Sequence, residues 1–135
     1  MSKIIGYTTG VFDLFHVGHL NILKKSKEFC DILIVGVTID KTTEKIKGKR
    51  PIISYKDRSR IVRSIKYVDV VIPQKKIDEI EDYHYLKFDC IFKGDDWEGT
   101  EKWRKLKSFF KNKGVDVIFF PYTEKISSTK IRNNL

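Results

Sequence analysis

Short runs of apolar residues alternate with amphipathic segments along the whole of this 135-residue chain. The apolar runs predict five strands, at residues 3–8, 31–37, 68–72, 88–92 and 115–120. These runs are almost continuously apolar, which is typical of strands covered on both faces. Helical periodicity falls between them, at about 19–29, 54–66, 76–86 and 101–113. We therefore expect an α/β fold, a Rossmann-like doubly wound sheet of five parallel strands with helices on both faces.

The length and continuity of this pattern predict a single domain over residues 1–135, with no linker, repeat or low-complexity tract. No apolar run approaches the roughly 18 residues of a membrane-spanning helix, and no signal-peptide pattern precedes the first strand. Cys30 and Cys90 lie far apart, each within an apolar run. Two such cysteines indicate thiols rather than a disulfide framework, so we expect a cytoplasmic protein with no membrane partner.

An excess of 27 Lys and Arg over 18 Asp and Glu gives a formal charge of +9, which favours an anionic partner. No basic run is interleaved with aromatic residues, and no helix-turn-helix, zinc-finger or RNA-binding signature is present. Basic residues cluster instead within residues 45–50. We therefore expect phosphorylated small molecules rather than nucleic acid as partners, and a basic nucleic-acid-binding domain remains the alternative from a different class.

The connection over residues 39–53 departs from the strand–helix alternation. It is polar, rich in lysine and without apolar periodicity, so the pattern predicts an irregular loop after the second strand. Such a loop at the carboxyl end of a strand could serve as a mobile lid, or it could be a surface excursion.

Two histidines, His16 and His19, occupy the turn where the first strand passes into the first helix, within residues 10–19. Unpaired backbone N–H groups and the helix dipole make such turns binding sites for phosphate. Imidazole donors there could follow charge as it develops on a phosphoryl group. The alternative is a capping turn with a buried structural histidine. Because two histidines alone do not complete a zinc site and Cys30 and Cys90 are remote, we expect no protein-held metal.

Two further segments lie at the carboxyl ends of predicted strands. Asp95 and Asp96 could hold a metal, meet a basic side chain or accept a nucleotide hydroxyl, or they could cap the next helix. Trp97 beside them is a large aromatic in a turn, which needs a surface to cover. After the last strand, residues 127–129 place three hydroxyl side chains in succession. That pattern is typical of a phosphate cradle at a helix N-terminus or of a plain N-cap.

Three segments together resemble the signatures of the cytidylyltransferase branch of the His-x-Gly-His nucleotidyltransferases: residues 10–19, Gly-Asp-Asp-Trp at 94–97, and Thr-Glu-Lys-Ile-Ser-Ser-Thr at 123–129. The resemblance runs over essentially the whole chain. It implies transfer of CMP from CTP to a small phosphorylated alcohol, glycerol 3-phosphate first, with release of pyrophosphate. It also implies Mg²⁺ accompanying the CTP, a homodimer formed near residues 67–72, and a role in making a surface polymer or lipid headgroup.

Two alternatives keep the same site and change its ligands. One is a cytidylyltransferase for the phosphate of ethanolamine, choline or another polyol, and the other is an adenylyltransferase of the same superfamily. Val11, Tyr122 and Lys125 stand where the family usually has Thr, Arg and Gly, which bears on the choice of substrate.

The resemblance also implies roles for individual residues. His16 and His19 would stabilise the triphosphate and the transition state, Lys47 would act catalytically by facing the acceptor phosphate, and Lys49 would bind the CTP phosphates. The further nucleotide-binding positions are Val11, Phe12, Val17, Gly18, Tyr122, Thr123, Glu124, Lys125, Ile126, Ser127, Ser128 and Thr129. The supporting positions are Asp13, Arg58, Asp95, Asp96 and Trp97.

Overall fold

The computed structural model describes residues 2–121; Met1 and residues 122–135, and with them the predicted segment Tyr122–Thr129, lie outside the described part. The strands are β1 (Ile5–Gly10), β2 (Ile32–Thr38), β3 (Val70–Gln74), β4 (Cys90–Gly94) and β5 (Asp116–Phe120). All pair in parallel in the order β3-β2-β1-β4-β5, which confirms the predicted sheet. The strand order reverses between β1 and β4, and sheets of this kind open a ligand crevice at such a point.

Helices cover both faces of the sheet: α1 (Val17–Glu28), α2 (Asp40–Lys47), α3 (Tyr55–Arg63), α4 (Glu79–Leu86) and α5 (Glu101–Asn112). Leu23 of α1 and Val62 of α3 pack with β2 in one apolar core. Trp103 and Phe110 of α5 pack with Phe88 in a second core on the other face, against which α4 also packs. Within residues 2–121, no helix is long and apolar enough to cross a membrane.

The strands extend further toward their carboxyl ends than the apolar runs predict. Gly10 pairs with Val37, Thr38 with Gln74, and Gly94 with Phe120, beyond the last strongly apolar residue of several runs. Backbone hydrogen bonding continues there without an apolar side chain, so periodicity does not reveal it. These extensions bring the ends of β1 to β4 to one edge of the sheet, where the candidate site lies.

Aspartates immediately before strands hold the opposite, amino-terminal edge together. Asp31 Oδ2 accepts the backbone N–H of Ile4 at 2.7 Å, and Asp89 Oδ2 accepts that of Ile5 at 2.8 Å. Asp69, which precedes β3, accepts a backbone N–H of β2 at 2.8 Å. Each carboxylate therefore pairs an N–H at the start of a neighbouring strand, where the parallel ladder has not yet begun.

The expectation of an irregular loop over residues 39–53 is wrong for its first half, because Asp40–Lys47 forms α2. Asp40 places a negative charge in the first turn of the helix, which the helix dipole favours. Gly48 ends the helix in the left-handed region at φ 77°, and its N–H donates to the carbonyl of Glu44. The basic cluster is thus partly carried by a helix with fixed geometry.

Candidate active site

The turn between β1 and α1 contains two non-glycine residues in the left-handed region, Phe12 at φ 54° and Leu14 at φ 49°. Such conformations are uncommon for residues with a side chain and persist where surrounding contacts hold them. Between them, the buried Asp13 carboxylate accepts the N–H groups of Leu14 at 3.1 Å, Ile52 at 2.8 Å and Ile53 at 2.9 Å. The turn is therefore tied to the segment that enters α3.

A second tie comes from Arg58, whose guanidinium is completely buried. Its Nε donates to the carbonyl of Ile53 at 2.8 Å, its Nη2 pairs with Asp40 Oδ1 at 2.6 Å, and its Nη1 donates to the carbonyl of Val11. One side chain thus joins the turn, the start of α2 and the start of α3. Arg58 does not line the cavity described below, so its contacts position other groups.

The two histidines cap α1 reciprocally. His16 Nδ1 accepts the backbone N–H of Gly18 at 3.0 Å, and His19 Nδ1 accepts the backbone N–H of His16 at 3.2 Å. A neutral imidazole has one donor and one acceptor nitrogen, so an accepting Nδ1 leaves the proton on Nε2. Capping and ligand binding are therefore compatible: the cap fixes the tautomer and leaves each Nε2–H available as a donor.

Both histidines are held neutral. Burial, reinforced by the charges of His16 and Lys47, lowers the pKa of His19 to about 4 against the opposing effect of Asp13. Burial also lowers the pKa of His16. The two rings stack with their centroids 3.9 Å apart, which disfavours charge on both. At neutral pH the pair is expected to present uncharged N–H donors rather than imidazolium ions.

A cavity of about 600 Å³ opens at the carboxyl edge of the sheet. Several predicted site residues line it: Val11, Phe12, His19, Lys47, Asp96 and Trp97. Other predicted residues belong to adjoining elements and do not line it: Asp13, His16, Val17, Gly18, Lys49, Arg58 and Asp95. Among the described residues, the cavity therefore brings together one histidine, one lysine of the basic cluster and the turn after β4.

Lys47 reaches the cavity from the last turn of α2, and its charge contributes to the lowered pKa of His19. Lys49 and Arg50 follow the end of the helix and are exposed. Arg50 Nε pairs with Glu44 Oε2 at 2.5 Å on the surface. The structure thus brings Lys47 to the cavity and places Lys49 beyond its described lining.

The turn after β4 is a single 3-10 turn over Asp95–Trp97. The aspartates do not cap the next helix; Thr100 does, because its side chain accepts the backbone N–H of Trp103 at 3.3 Å. Trp97 covers the side chain of Lys93, whose Nζ lies 5.2 Å from the centre of the indole ring. Asp96 and Trp97 both face the cavity.

Three charged residues of the cavity lining are missed by sequence reasoning: Glu79, Lys93 and Lys102. Glu79 is only 3% exposed and pairs with Lys102 Nζ at 2.9 Å. Burial lowers the pKa of Lys93, against the attraction of Glu79. For Lys93 the sequence does contain a signal. A lysine at the carboxyl end of an apolar run lies at the ligand-binding edge of a parallel sheet.

Within residues 2–121, no group of three or more His, Cys, Asp or Glu side chains could hold a metal ion. Asp96 is a carboxylate of the cavity lining that could contribute one oxygen ligand.

Comparisons with known proteins support the fold and identify the family. A family model described as cytidylyltransferase-like matches residues 7–134. The chain is 37% identical over 139 residues to a glycerol-3-phosphate cytidylyltransferase of Staphylococcus aureus, covering all of this chain and 96% of the relative. It is 40% identical over 130 residues to an FAD synthase of Thermococcus sibiricus, covering 96% and 88%. A lipopolysaccharide core biosynthesis protein from Thermoplasma volcanium superposes with a TM-score of 0.75 at 31% identity, covering 93% of this chain and all of that one.

Proposed function

This chain belongs to the cytidylyltransferase-like family and is a nucleotidyltransferase, and from that premise we propose that it transfers CMP from CTP to glycerol 3-phosphate or a similar small phosphorylated alcohol. A phosphate oxygen of the acceptor attacks the α-phosphorus of CTP, and the bond from that phosphorus to pyrophosphate breaks. No protein nucleophile takes part, so the reaction depends on positioning and on stabilising charge. The observation that carries the proposal is the pair of tautomer-fixed, neutral histidines at the turn between β1 and α1, of which His19 lines the cavity.

The Nε2–H groups of His16 and His19 are proposed to donate to phosphate oxygens as charge moves toward the leaving pyrophosphate. Because the cap already fixes both rings, little reorganisation is needed when the transition state forms. Neutral donors also suit this task. They can donate to the triphosphate oxygens, and because their pKa values are lowered they do not take up a proton from the acceptor phosphate. The N-terminus of α1, at Val17 and Gly18, adds its dipole in the same place.

Lys47 is proposed to hold the acceptor phosphate and Lys49 the phosphates of CTP. The cavity lining supports Lys47, whereas Lys49 would have to reach inward from the surface when nucleotide binds. Val11 and Phe12 are proposed to contact the nucleotide through their backbone. The segment Tyr122–Thr129, which lies outside the described residues, is proposed to complete the nucleotide pocket.

Mg²⁺ bound with CTP would neutralise part of the triphosphate charge. The described residues fit an ion held mainly by nucleotide oxygens, because residues 2–121 contain no three-ligand cluster and Asp96 is the carboxylate of the predicted turn that faces the cavity. The protein's share is then to orient the phosphates through its histidines and lysines.

Adenylyl transfer is the second candidate, because the FAD synthase of Thermococcus sibiricus is 40% identical to this chain. The deciding experiment measures pyrophosphate release with CTP, UTP or ATP, each paired with glycerol 3-phosphate or with flavin mononucleotide. We expect CTP with glycerol 3-phosphate to exceed the ATP and UTP reactions by at least about 100-fold in kcat/KM, the scale of one or two mispaired buried hydrogen bonds. A superior ATP–flavin reaction would establish the second candidate, and no release with any pair would overturn both.

The role of Lys47 can be tested beside this. Lys47→Met is expected to raise the KM for glycerol 3-phosphate about 10-fold, the scale of one lost charge-assisted hydrogen bond. Lys45→Met, on the same helix but outside the cavity lining, is the matched control. Equal behaviour of the two variants would remove Lys47 from the acceptor site.

We also propose a homodimer near residues 67–72 and a cytoplasmic location serving synthesis of a surface polymer or lipid headgroup. β3 is an edge strand, and its Val70 is 42% exposed, which supports a partner there. Cys30 and Cys90 are free thiols, as in reducing compartments. A monomeric mass in solution at micromolar concentration would overturn the dimer.

A further inference from the structure

Part of the cavity lining is built from residues of α4, β4 and α5 rather than from the histidine turn or α2. We name Glu79, Lys93, Lys102 and Trp103 the Lys93 cluster. These residues come from three successive elements of the chain, and the nucleotidyl transfer proposed above assigns none of them a role.

Lys93 is the member with the greatest unmet demand for partners. Within residues 2–121, its Nζ has one hydrogen-bond contact, to Thr9 Oγ1 at 3.5 Å, and otherwise lies over the ring of Trp97. An ammonium group has three donors, and leaving them without acceptors in a desolvated site is costly. Burial lowers the pKa of Lys93, which reflects this cost. A ligand that brings oxygen atoms to the cavity would relieve it.

The other members complement Lys93 with one acceptor and one further donor. Glu79 is almost fully buried, and its ion pair with Lys102 Nζ uses only part of the acceptor capacity of a carboxylate. Trp103 is 1% exposed, and its Nε1 has no hydrogen-bond partner among the described residues. A hydroxyl group can both donate and accept, so a ligand with adjacent hydroxyls can accept from Lys93 and donate to Glu79.

A cationic ligand is a poor match for the same surface. Lys47, Lys93 and Lys102 outnumber Glu79 and Asp96 in the lining. Quaternary ammonium groups bind to open aromatic faces, yet Lys93 already lies over one face of Trp97. A trimethylammonium group also has no hydrogen-bonding atoms to offer the cluster.

Resting on the nucleotidyl transfer proposed above, we propose that the Lys93 cluster binds the hydroxyl-bearing part of the acceptor and thereby selects phosphorylated polyols and sugars over phosphorylated amino-alcohols. Lys93 donates to hydroxyl oxygens, and Glu79 accepts from hydroxyl hydrogens. The phosphate of the same acceptor lies toward Lys47, so one acceptor molecule extends from Lys47 to the Lys93 cluster.

The test compares kcat/KM for glycerol 3-phosphate and ribitol 5-phosphate with that for phosphocholine and phosphoethanolamine, at saturating CTP. We expect the polyol phosphates to lead by about 100-fold or more, the scale of leaving polar groups of a site unpaired. Lys93→Met should raise the KM for glycerol 3-phosphate about 10-fold and narrow that lead by a similar factor, without changing the KM for CTP. Lys105→Met, an exposed position on α5, is the matched control.

Turnover without a preference between acceptor classes would overturn the inference, as would a preference that Lys93→Met leaves unchanged. If ATP proves to be the nucleotide, the same acceptor comparison is made with ATP. No pyrophosphate release with any nucleotide and acceptor would instead refute the proposed function, and the inference with it. Should Lys93→Met fail to fold, Glu79→Gln keeps the shape of its side chain and is expected to raise the KM for glycerol 3-phosphate alone; an unchanged KM would overturn the inference.

Discussion

At the amino-terminal edge of the sheet, the carboxylates of Asp31, Asp69 and Asp89 are bound to backbone N–H groups of neighbouring strands. At the carboxyl edge, His16 and His19 also bind backbone N–H groups, but each does so through one ring nitrogen. Within residues 2–121, the second nitrogen of each ring has no hydrogen-bond partner. The three aspartates at one edge therefore hold the backbone, whereas the histidines of the other edge hold the backbone and can still bind a ligand.

This difference indicates that stability and activity can be separated by mutation. Substitutions at the aspartate edge should change the free energy of unfolding and leave turnover unchanged. Substitutions of the two imidazoles at the carboxyl edge should lower turnover and leave the free energy of unfolding nearly unchanged, provided that the cap is preserved. Arg58 is the exception, because its charge lies near the carboxyl edge yet is used wholly for structure.

The largest effect is expected from Arg58→Met, which breaks the simple division between the edges. It leaves the partly buried Asp40 and the carbonyls of Val11 and Ile53 without the buried guanidinium that donates to them, so we expect a loss of about 3 kcal/mol in the free energy of unfolding. Denaturant unfolding measures this, with the exposed Arg60→Met on α3 as control. A loss no greater than that of the control would contradict the structural role.

His16→Asn tests the carboxyl edge directly. Asparagine is a good N-cap, so α1 is retained while the Nε2–H donor is lost. We expect turnover to fall about 100-fold or more, the scale of losing one preorganised donor, with stability nearly unchanged. His16→Ala should lose a further 1 kcal/mol or so of stability, because the cap is lost too. Near-normal turnover of the asparagine variant would show that the imidazole serves only as a cap.

The histidine pair should also make stability depend on pH. Because the pKa of His19 is about 4 in the folded state and near 6.5 in the unfolded state, the unfolded chain binds the proton more readily between these values. Stability is thus full above pH 6.5 and falls as the pH drops toward 4, by about 2 kcal/mol at pH 5. The measurement is chemical denaturation at each pH for wild type, His19→Asn and the exposed His84→Gln on α4. Only His19→Asn should flatten the slope, and identical slopes in all three would contradict the assignment.

The smallest effect is expected at the aspartate edge. Asp89→Ala removes the acceptor for the N–H of Ile5 and should cost about 1 kcal/mol of stability with unchanged kcat/KM. Asp116→Ala is the control, because Asp116 joins the sheet through its backbone N–H to the carbonyl of Asp89. A fall in turnover at constant stability would mean that the two edges are not independent.

The sheet and the histidine turn are predictable because their signals are local. An apolar run, a turn containing His16 and His19, and an amphipathic segment follow one another within residues 5–28, and the structure reproduces that order. The reciprocal cap is less evident, since histidine is not among the common capping residues.

Other parts of the site depend on information that is not local. Thr43 is the only residue of α2 that is buried, so no apolar stripe marks the helix, although Gly48 followed by Pro51 is a helix-stop pattern. The members of the Lys93 cluster come from three successive elements, α4, β4 and α5. They become neighbours because α4 and α5 pack into the same core beside β4, which periodicity does not specify.

β1 lies at the centre of the sheet, and its two partner strands are synthesised at different times. Gly6 pairs with Leu33 on one side and with Cys90 on the other, so the second partner is synthesised long after the first. Contacts between such distant segments slow folding, because the intervening chain must be ordered before they form. Until β4 has been synthesised, the strand that leads into the histidine turn has a partner for only one of its two edges. Conditions that slow translation between β2 and β4 would prolong the time for which that edge is unpaired and prone to aggregation.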